Sequence, residues 1–404
     1  MPTSDLTASR AARFVRVGSF YYLLFFLYSG SYGPFIYVYL SELGLTGQQV
    51  GWLSSLFPFM TLLLATPIAS FADGRRLRVR VLQVAMAATS VTLLLLPQST
   101  GFWWIAGLML VMAIVSSPIM SVADSLIARN ARRHAREYGG MRMWGSLGFA
   151  ASAQAFGAIW QAVGFGPMFS VAALILWPLI WLTGRIEEIP AETPGAGPTA
   201  RRSPFSLLRD GGLVVVLLAT FLSGISNSLA MTFSGIYARS LGGGNLLIGM
   251  MIAFGAVAEI ATMYFSSRIV KRLGGSSAML IAYGLMASAF LGFAVSTSAV
   301  ALPLFSILKG LGYGLWFTVT VRMVTERTPE AWASTAQSLL GVAMFGLAPL
   351  VAGPLGGWIH DAISPGAVFW LGIATLALAA ITIGVGATQK RLASSDTLGE
   401  AGVD

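Results

Sequence analysis

The chain contains no cysteine, only two histidines and three lysines, and little charge of either sign. Without cysteine there is no disulfide, no thiolate nucleophile and no thiolate metal site, and the redox compartment is left open. The histidines, His134 and His360, fall at opposite ends of apolar runs and cannot share a metal or a catalytic triad. None of the lysines sits in a G-x-x-x-x-G-K-[ST] loop, and no H-E-x-x-H or G-x-S-x-G motif occurs. ATP hydrolysis and hydrolytic chemistry are therefore excluded, and no cofactor is expected. Only 10% of the 404 residues are charged, against roughly 25% in soluble domains. That composition leaves too little polar surface to cover a soluble fold of this size.

Apolar sequence, by contrast, is abundant: 56% of residues are hydrophobic. A spanning helix needs about 20 apolar residues, so twelve would use about 240 and leave enough for short loops. Apolar runs fall at about 17–40, 48–71, 79–97, 102–127, 140–163 and 166–184, then at about 213–238, 246–267, 277–296, 300–321, 333–358 and 366–388. The stretch 185–212, with Pro190, Pro194, Pro198 and Pro204, is the one connection long enough to be a linker. The pattern predicts an all-α membrane protein of twelve transmembrane helices in two six-helix bundles, 1–184 and 213–404. The first run, following Arg10, Arg13 and Arg16, is too long for a signal core and reads as a retained span.

The net charge of +9 does not point to nucleic acid, because the basic residues flank the spans. With twelve spans, 23 of the 25 fall on one side, including Arg75, Arg76, Arg78 and Arg80, the cluster Arg129 to Arg142, Arg185, Arg201, Arg202, Lys390 and Arg391. The positive-inside rule then places both termini in the cytoplasm. Arg239 and Lys309 are the exceptions, and Lys309 lies within a span.

A charged residue at the bilayer centre costs at least about 2.5–3.5 kcal/mol, so such residues pair or face a cavity. Four qualify: Asp124 in span 4, Arg142 in span 5, Glu259 in span 8 and Lys309 in span 10. Glu259 and Lys309 sit at depths of roughly 21 and 15 Å from the outer side, within reach of each other. Asp124 and Arg142 lie near the inner ends of adjacent spans and can also meet. Each half thus offers an acid and a base, either as structural ion pairs or as groups lining a central cavity. A carboxylate withdrawn from water holds its proton to higher pH while a nearby cation opposes this, which makes Glu259 the leading proton carrier. Tyr28, Tyr32, Gln154, Asn227, Trp316 and Gln337 are further cavity candidates, each with a bland reading as a packing group. Gly310, Gly312 and Gly314 predict close helix contact rather than a nucleotide loop. Pro34, Pro58, Pro67, Pro118, Pro178, Pro349 and Pro354 predict kinks.

The six-plus-six pattern, "ADGRRLRVR" after span 2 and "YGGMRMWGSLGF" opening span 5 resemble the major facilitator superfamily. "ADSLIARNARRHAREYGGMRMWGSLGF" is similar to the span 4–5 region of the oligosaccharide–proton symporters, the lactose permease relatives. The resemblance implies that Asp124 and Arg142 bind solute hydroxyls and that Phe149 stands where a sugar ring stacks. "GMMIAFGAVAEIATMYFSSRIVKRLG" and "ILKGLGYGLWFTVTVRM" look closer to the phenylpropionate-permease branch, which has a glutamate at the Glu259 position. The sugar symporters' coupling histidine and glutamate fall at Gly312 and Leu315, which puts the proton on Glu259, with Asp124 as a second candidate. The 2–3 loop is a degenerate gate motif, with Ala69 and Gly74 replacing a glycine and an arginine; Asp73 should still tether it, beside Arg75 and Arg76.

Together these features lead us to expect an inner-membrane secondary transporter that imports a small organic solute by proton symport and alternating access. An aromatic acid, a sugar or a nucleoside would suit its polar groups, and the resemblance implies a monomer. The expected partners are solute, protons and the lipid bilayer. Two alternatives stand beside this reading. "GPLGG" at Gly353–Gly357 leaves proton-driven multidrug export open, and a non-transporting sensor could use the same fold.

Overall fold

The computed structural model describes residues 2–189, 204–329 and 332–389. Pro190, Pro194, Pro198, Arg201, Arg202, Lys390 and Arg391 lie outside them, as does most of the expected central connection. All regular structure among the described residues is helical. The first column is α1 (Pro2–Tyr32) with α2 (Ile36–Glu42), followed by α3 (Gly47–Arg75) and α4 (Arg78–Leu95). α5 (Phe102–Ser116) and α6 (Ile119–Arg133) form the fourth column, and α7 (Tyr138–Val163) and α8 (Met168–Thr183) follow. The second set is α9 (Gly211–Ser240), α10 (Asn245–Leu273), α11 (Gly275–Val295) and α12 (Leu302–Glu326). It ends with α13 (Ala333–Gly341), α14 (Ala348–Ala362) and α15 (Ala367–Thr388). The result is an all-α membrane fold of about twelve helical columns.

Ten of these columns are long and apolar enough to cross a membrane. α7 and α8 are the two others. α7 has 26 residues but carries Arg142, Gln154 and Gln161, whereas α8 is apolar throughout but only 16 residues long. The proline effects differ by position. Pro34 and Pro118 interrupt their columns outright, while Pro58, Pro67, Pro178 and Pro354 stay inside helices. Pro349 follows a π-helical stretch, Val342–Leu347. Proline has no N–H to return to the preceding turn, and the widened turn accommodates that loss. At Gly274, φ of 81° lets α10 pass into α11 through a single residue, a conformation open to glycine without strain.

The chain forms two compact units. Among the described residues, unit 1 comprises 2–45, 56–189 and 244–253, and unit 2 comprises 46–55, 204–243, 254–329 and 332–389. In unit 1, α1 packs along α7 and α8, and α4 along α8 and α5. In unit 2, α9 packs on α14 and α15, and α11 on α12 and α15.

Small residues set the closest approaches. A Cβ on Gly310 would overlap the backbone of Gly255, one on Gly314 the backbone of Glu259, and one on Gly312 the backbone of Ala282 and side chain of Met286. α12 is thereby pressed between α10 and α11, as the glycine spacing predicts, and the contact fixes the level of Glu259 against Lys309. Gly310→Ala should cost about 1–3 kcal/mol through overpacking, seen as a lower melting temperature in detergent. Gly284→Ala, which meets nothing within 4 Å, should melt with the native protein.

Candidate functional site

The first cluster is built by α1, α6 and α7 in unit 1. α1 and α7 come together because Gly145 and Gly148 leave room: a Cβ on Gly145 would stand 2.6 Å from the Phe26 ring, and one on Gly148 about as close to Leu23 as 3.1 Å. This brings Tyr22 and Phe26, one turn apart on α1, beneath Arg142. The guanidinium carbon of Arg142 lies 4.6 Å from the Phe26 centroid and 5.2 Å from that of Tyr22. Tyr22 donates its hydroxyl proton to Asp124 Oδ1 at 2.6 Å, and its oxygen lies 3.0 Å from the hydroxyl of Tyr138. Phe149 meets Phe26 edge-on, with centroids 6.3 Å apart.

Asp124 and Arg142 are thus brought together, but through Tyr22. No ion pair joins them among the described residues. Arg142 is held by aromatic faces, a cation–π arrangement, and makes no hydrogen bond among those residues. Both charged side chains are half-buried, and the guanidinium lies beside a carboxylate and two phenols.

The second cluster lies in unit 2. Glu259 on α10 and Lys309 on α12 are within electrostatic reach of each other, and Tyr313 senses the same carboxylate. Contact-distance pairing is absent here too among the described residues. The glycine contacts explain the offset: Gly310 sits over Gly255 and Gly314 over Glu259, so Lys309 lies a little more than one turn from Glu259 along the axis, roughly 7 Å. Glu259 and Lys309 are also half-buried.

A third cluster closes the arginine-rich end of unit 1. Asp73 receives Arg78 Nε and, at 2.7 Å, Arg129 Nη2. Arg78 is fully buried and continues to Glu188 Oε1 at 3.2 Å and the Ile189 carbonyl at 2.7 Å. Glu188 also accepts the Val79 N–H at 2.9 Å, capping α4. Arg133 pairs with Glu187 at 2.9 Å, and Asn130 donates to the Glu187 carbonyl. Arg75 instead lies on the Phe71 ring, 4.3 Å from its centroid, and Arg76 takes a left-handed φ of 55° in the turn.

Comparison with known proteins fits this architecture. A family model described as the MFS_1 like family matches residues 16–371. The chain belongs to that family. It is 28% identical over 360 residues to the maltose permease of Geobacillus stearothermophilus, covering 89% of this chain and 91% of the permease. It is 26% identical over 392 residues to a probable 3-phenylpropionic acid transporter of Escherichia coli K12, covering 92% and 97%. The crystal structure of nucleoside transporter NupG matches with a TM-score of 0.80 over 92% of this chain and 98% of that one, at 14% identity. Relatives from sugar and aromatic-acid branches place the chain in the major facilitator superfamily without selecting one branch. This member of the superfamily is a multi-pass membrane protein and a secondary transporter of the alternating-access type, not an enzyme.

The remaining candidates of this transporter are dispersed. Tyr28 and Tyr32 share a hydroxyl hydrogen bond of 3.0 Å in unit 1. Gln154, on α7, has a buried Oε1 with no partner among the described residues. Asn227 is half-buried on α9. Trp316 is fully buried beside Tyr283, and Gln337 donates to Thr325 Oγ1 at 3.1 Å. Sequence reasoning missed Tyr22, Phe26 and Tyr138, although phenols one turn apart from other aromatics inside an apolar span were a usable signal. It also missed Arg78 and Arg129, for which no signal distinguished them from neighbouring arginines.

Arg78→Ala would leave Glu188 without its guanidinium partner and Asp73 with Arg129 alone. Removing one partner of a buried pair costs about 3 kcal/mol, so this variant should melt well below the native protein in detergent. Arg75→Ala, which loses only a surface ring contact, should not.

Proposed function

We propose that this transporter imports a small organic solute by proton symport, acting as a monomer in the inner membrane, both termini cytoplasmic. The solute is an aromatic acid, a sugar or a nucleoside, each of which offers a ring together with oxygen groups. The observation that carries this reading is the state of Arg142. Its charge is met by two aromatic faces rather than by Asp124, which leaves the guanidinium fork available for a solute carboxylate or hydroxyl. Asp124, oriented by Tyr22, accepts from solute hydroxyls, and Phe149 and Phe26 offer the ring surface. Tyr28, Tyr32, Gln154, Asn227, Trp316 and Gln337 would tune selectivity from further along the spans.

Glu259 carries the proton in this reading. With Lys309 near but not in contact, the carboxylate is free to accept a proton and release it as its surroundings change. A proton bound by Glu259 from the outer side neutralises the carboxylate while the solute is carried, and its release on the cytoplasmic side restores the charge. Asp73, with Arg78 and Arg129, acts as a tether at the gate. The stretch Gly353–Gly357, whose spacing left export open, is engaged in backbone packing against residues 47–51, so nothing in its contacts favours an exporter.

The test is a thermal-shift screen of purified protein against sugars, nucleosides and aromatic acids, then uptake in proteoliposomes with the stabilising solute. Glu259→Gln should abolish accumulation driven by a proton gradient while solute exchange across the membrane persists. Normal accumulation by Glu259→Gln would remove the coupling assignment.

A further inference from the structure

α3 has one end in each unit: residues 46–55 belong to unit 2, and the rest of the helix belongs to unit 1. Glycine lets α3 and α14 approach closely along the first turns of α3. A Cβ on Gly47 or on Gly357 would overlap the facing helix, and the same holds for Gly51 and Gly353. One turn further, Ser55 donates to the Pro349 carbonyl at 3.1 Å. Such contacts bring two helices together but supply little that is directional.

At the open end of this seam stands one ionised group. Asp361, the penultimate residue of α14, accepts the Gly47 N–H on Oδ1 and the Gln48 N–H on Oδ2, both at 2.8 Å. These are donors of the first turn of α3, which have no partner within their own helix. A carboxylate placed there gains two charge-assisted hydrogen bonds and the favourable end of the helix dipole. His360 fixes the carboxylate. Its Nδ1 lies 3.0 Å from Asp361 Oδ1, and its Nε2 is buried with no partner among the described residues. The imidazole proton therefore belongs on Nδ1, donated to Asp361, while the ring leans on Phe233 with centroids 5.9 Å apart.

A second seam of similar build occurs in unit 1, where the start of α10 lies on α7. There Gly249 meets the backbone of Ala153 and Gln154, and the neutral amide of Asn245 donates to the Trp160 carbonyl at 3.0 Å.

We propose that Asp361 is a latch: it holds the first turns of α3 against α14, and its release is a step of the transport cycle. Alternating access requires some segments to exchange neighbours, and in this proposal the first turns of α3 are one of them. Asp361 is a positioning residue, bound to no solute.

The natural absence of cysteine makes a direct test available in lipid nanodiscs. Ser54→Cys places a thiol inside the seam, where Ser54 is 7% exposed, and Ser90→Cys places one at the α4–α8 contact, where Ser90 is 1% exposed. A hydrophilic maleimide should label both slowly in the otherwise native chain. Adding Asp361→Asn, which sets an amide NH₂ against a backbone N–H, should raise labelling of Ser54→Cys by about tenfold and leave Ser90→Cys slow. Asp361→Ala should do the same. Unchanged labelling of Ser54→Cys would overturn the latch, and so would a rise at both positions, which would mean general loosening.

Discussion

An ionised side chain withdrawn from bulk water persists only if something meets its charge, and the three ways in which this transporter does so organise most of its structure. In the Asp73 cluster, charge meets charge at contact distance, with a fully buried arginine between two carboxylates. Around Arg142, charge meets the faces of aromatic rings. Between Glu259 and Lys309, charge is met without contact, each group within electrostatic reach of the other. Tight pairing suits a fixed tether, whereas the looser solutions leave groups able to take a new partner. Function is read from that difference: what is saturated holds the fold, and what is unsaturated is available to solute and proton.

The backbone prepares these arrangements through the residues that have least side chain. Gly145 and Gly148 admit Phe26 and Leu23, so the aromatic platform under Arg142 depends on what α7 lacks. Gly310 and Gly314 seat α12 on α10 and set the axial offset that keeps Lys309 from closing on Glu259. The seam between α3 and α14 uses the same device, then adds one carboxylate where direction is needed. Close backbone approach costs little to form or to break, which suits surfaces that must part during transport.

Much of this was legible in the sequence, and the parts that were not share a cause. The helical columns follow from runs of apolar residues long enough to span, and the charged residues within spans name themselves because each is costly there. Gly310, Gly312 and Gly314 act as their spacing predicts. What the one-dimensional pattern does not carry is which side chain intervenes between two others. Asp124 and Arg142 looked able to meet directly, yet Tyr22 stands between them. Arg78 is indistinguishable in sequence from Arg75 and Arg76, yet only Arg78 is buried, because the turn at Arg76 directs successive side chains apart. Asp361 gave no signal at all, since its partners are backbone groups more than 300 residues away.

The central claim is that the charged residues of the spans face water rather than lipid or sealed packing. Single cysteines at Ala256 and Met263, which flank Glu259 on its helical face, measure this against Leu291→Cys, an exposed apolar position on the outer helix α11. With a charged, membrane-impermeant thiol reagent on protein in nanodiscs, Ala256→Cys and Met263→Cys should react readily and Leu291→Cys should not. If neither residue beside Glu259 reacts, or if Leu291→Cys reacts as fast as they do, the wet passage does not exist and the account fails.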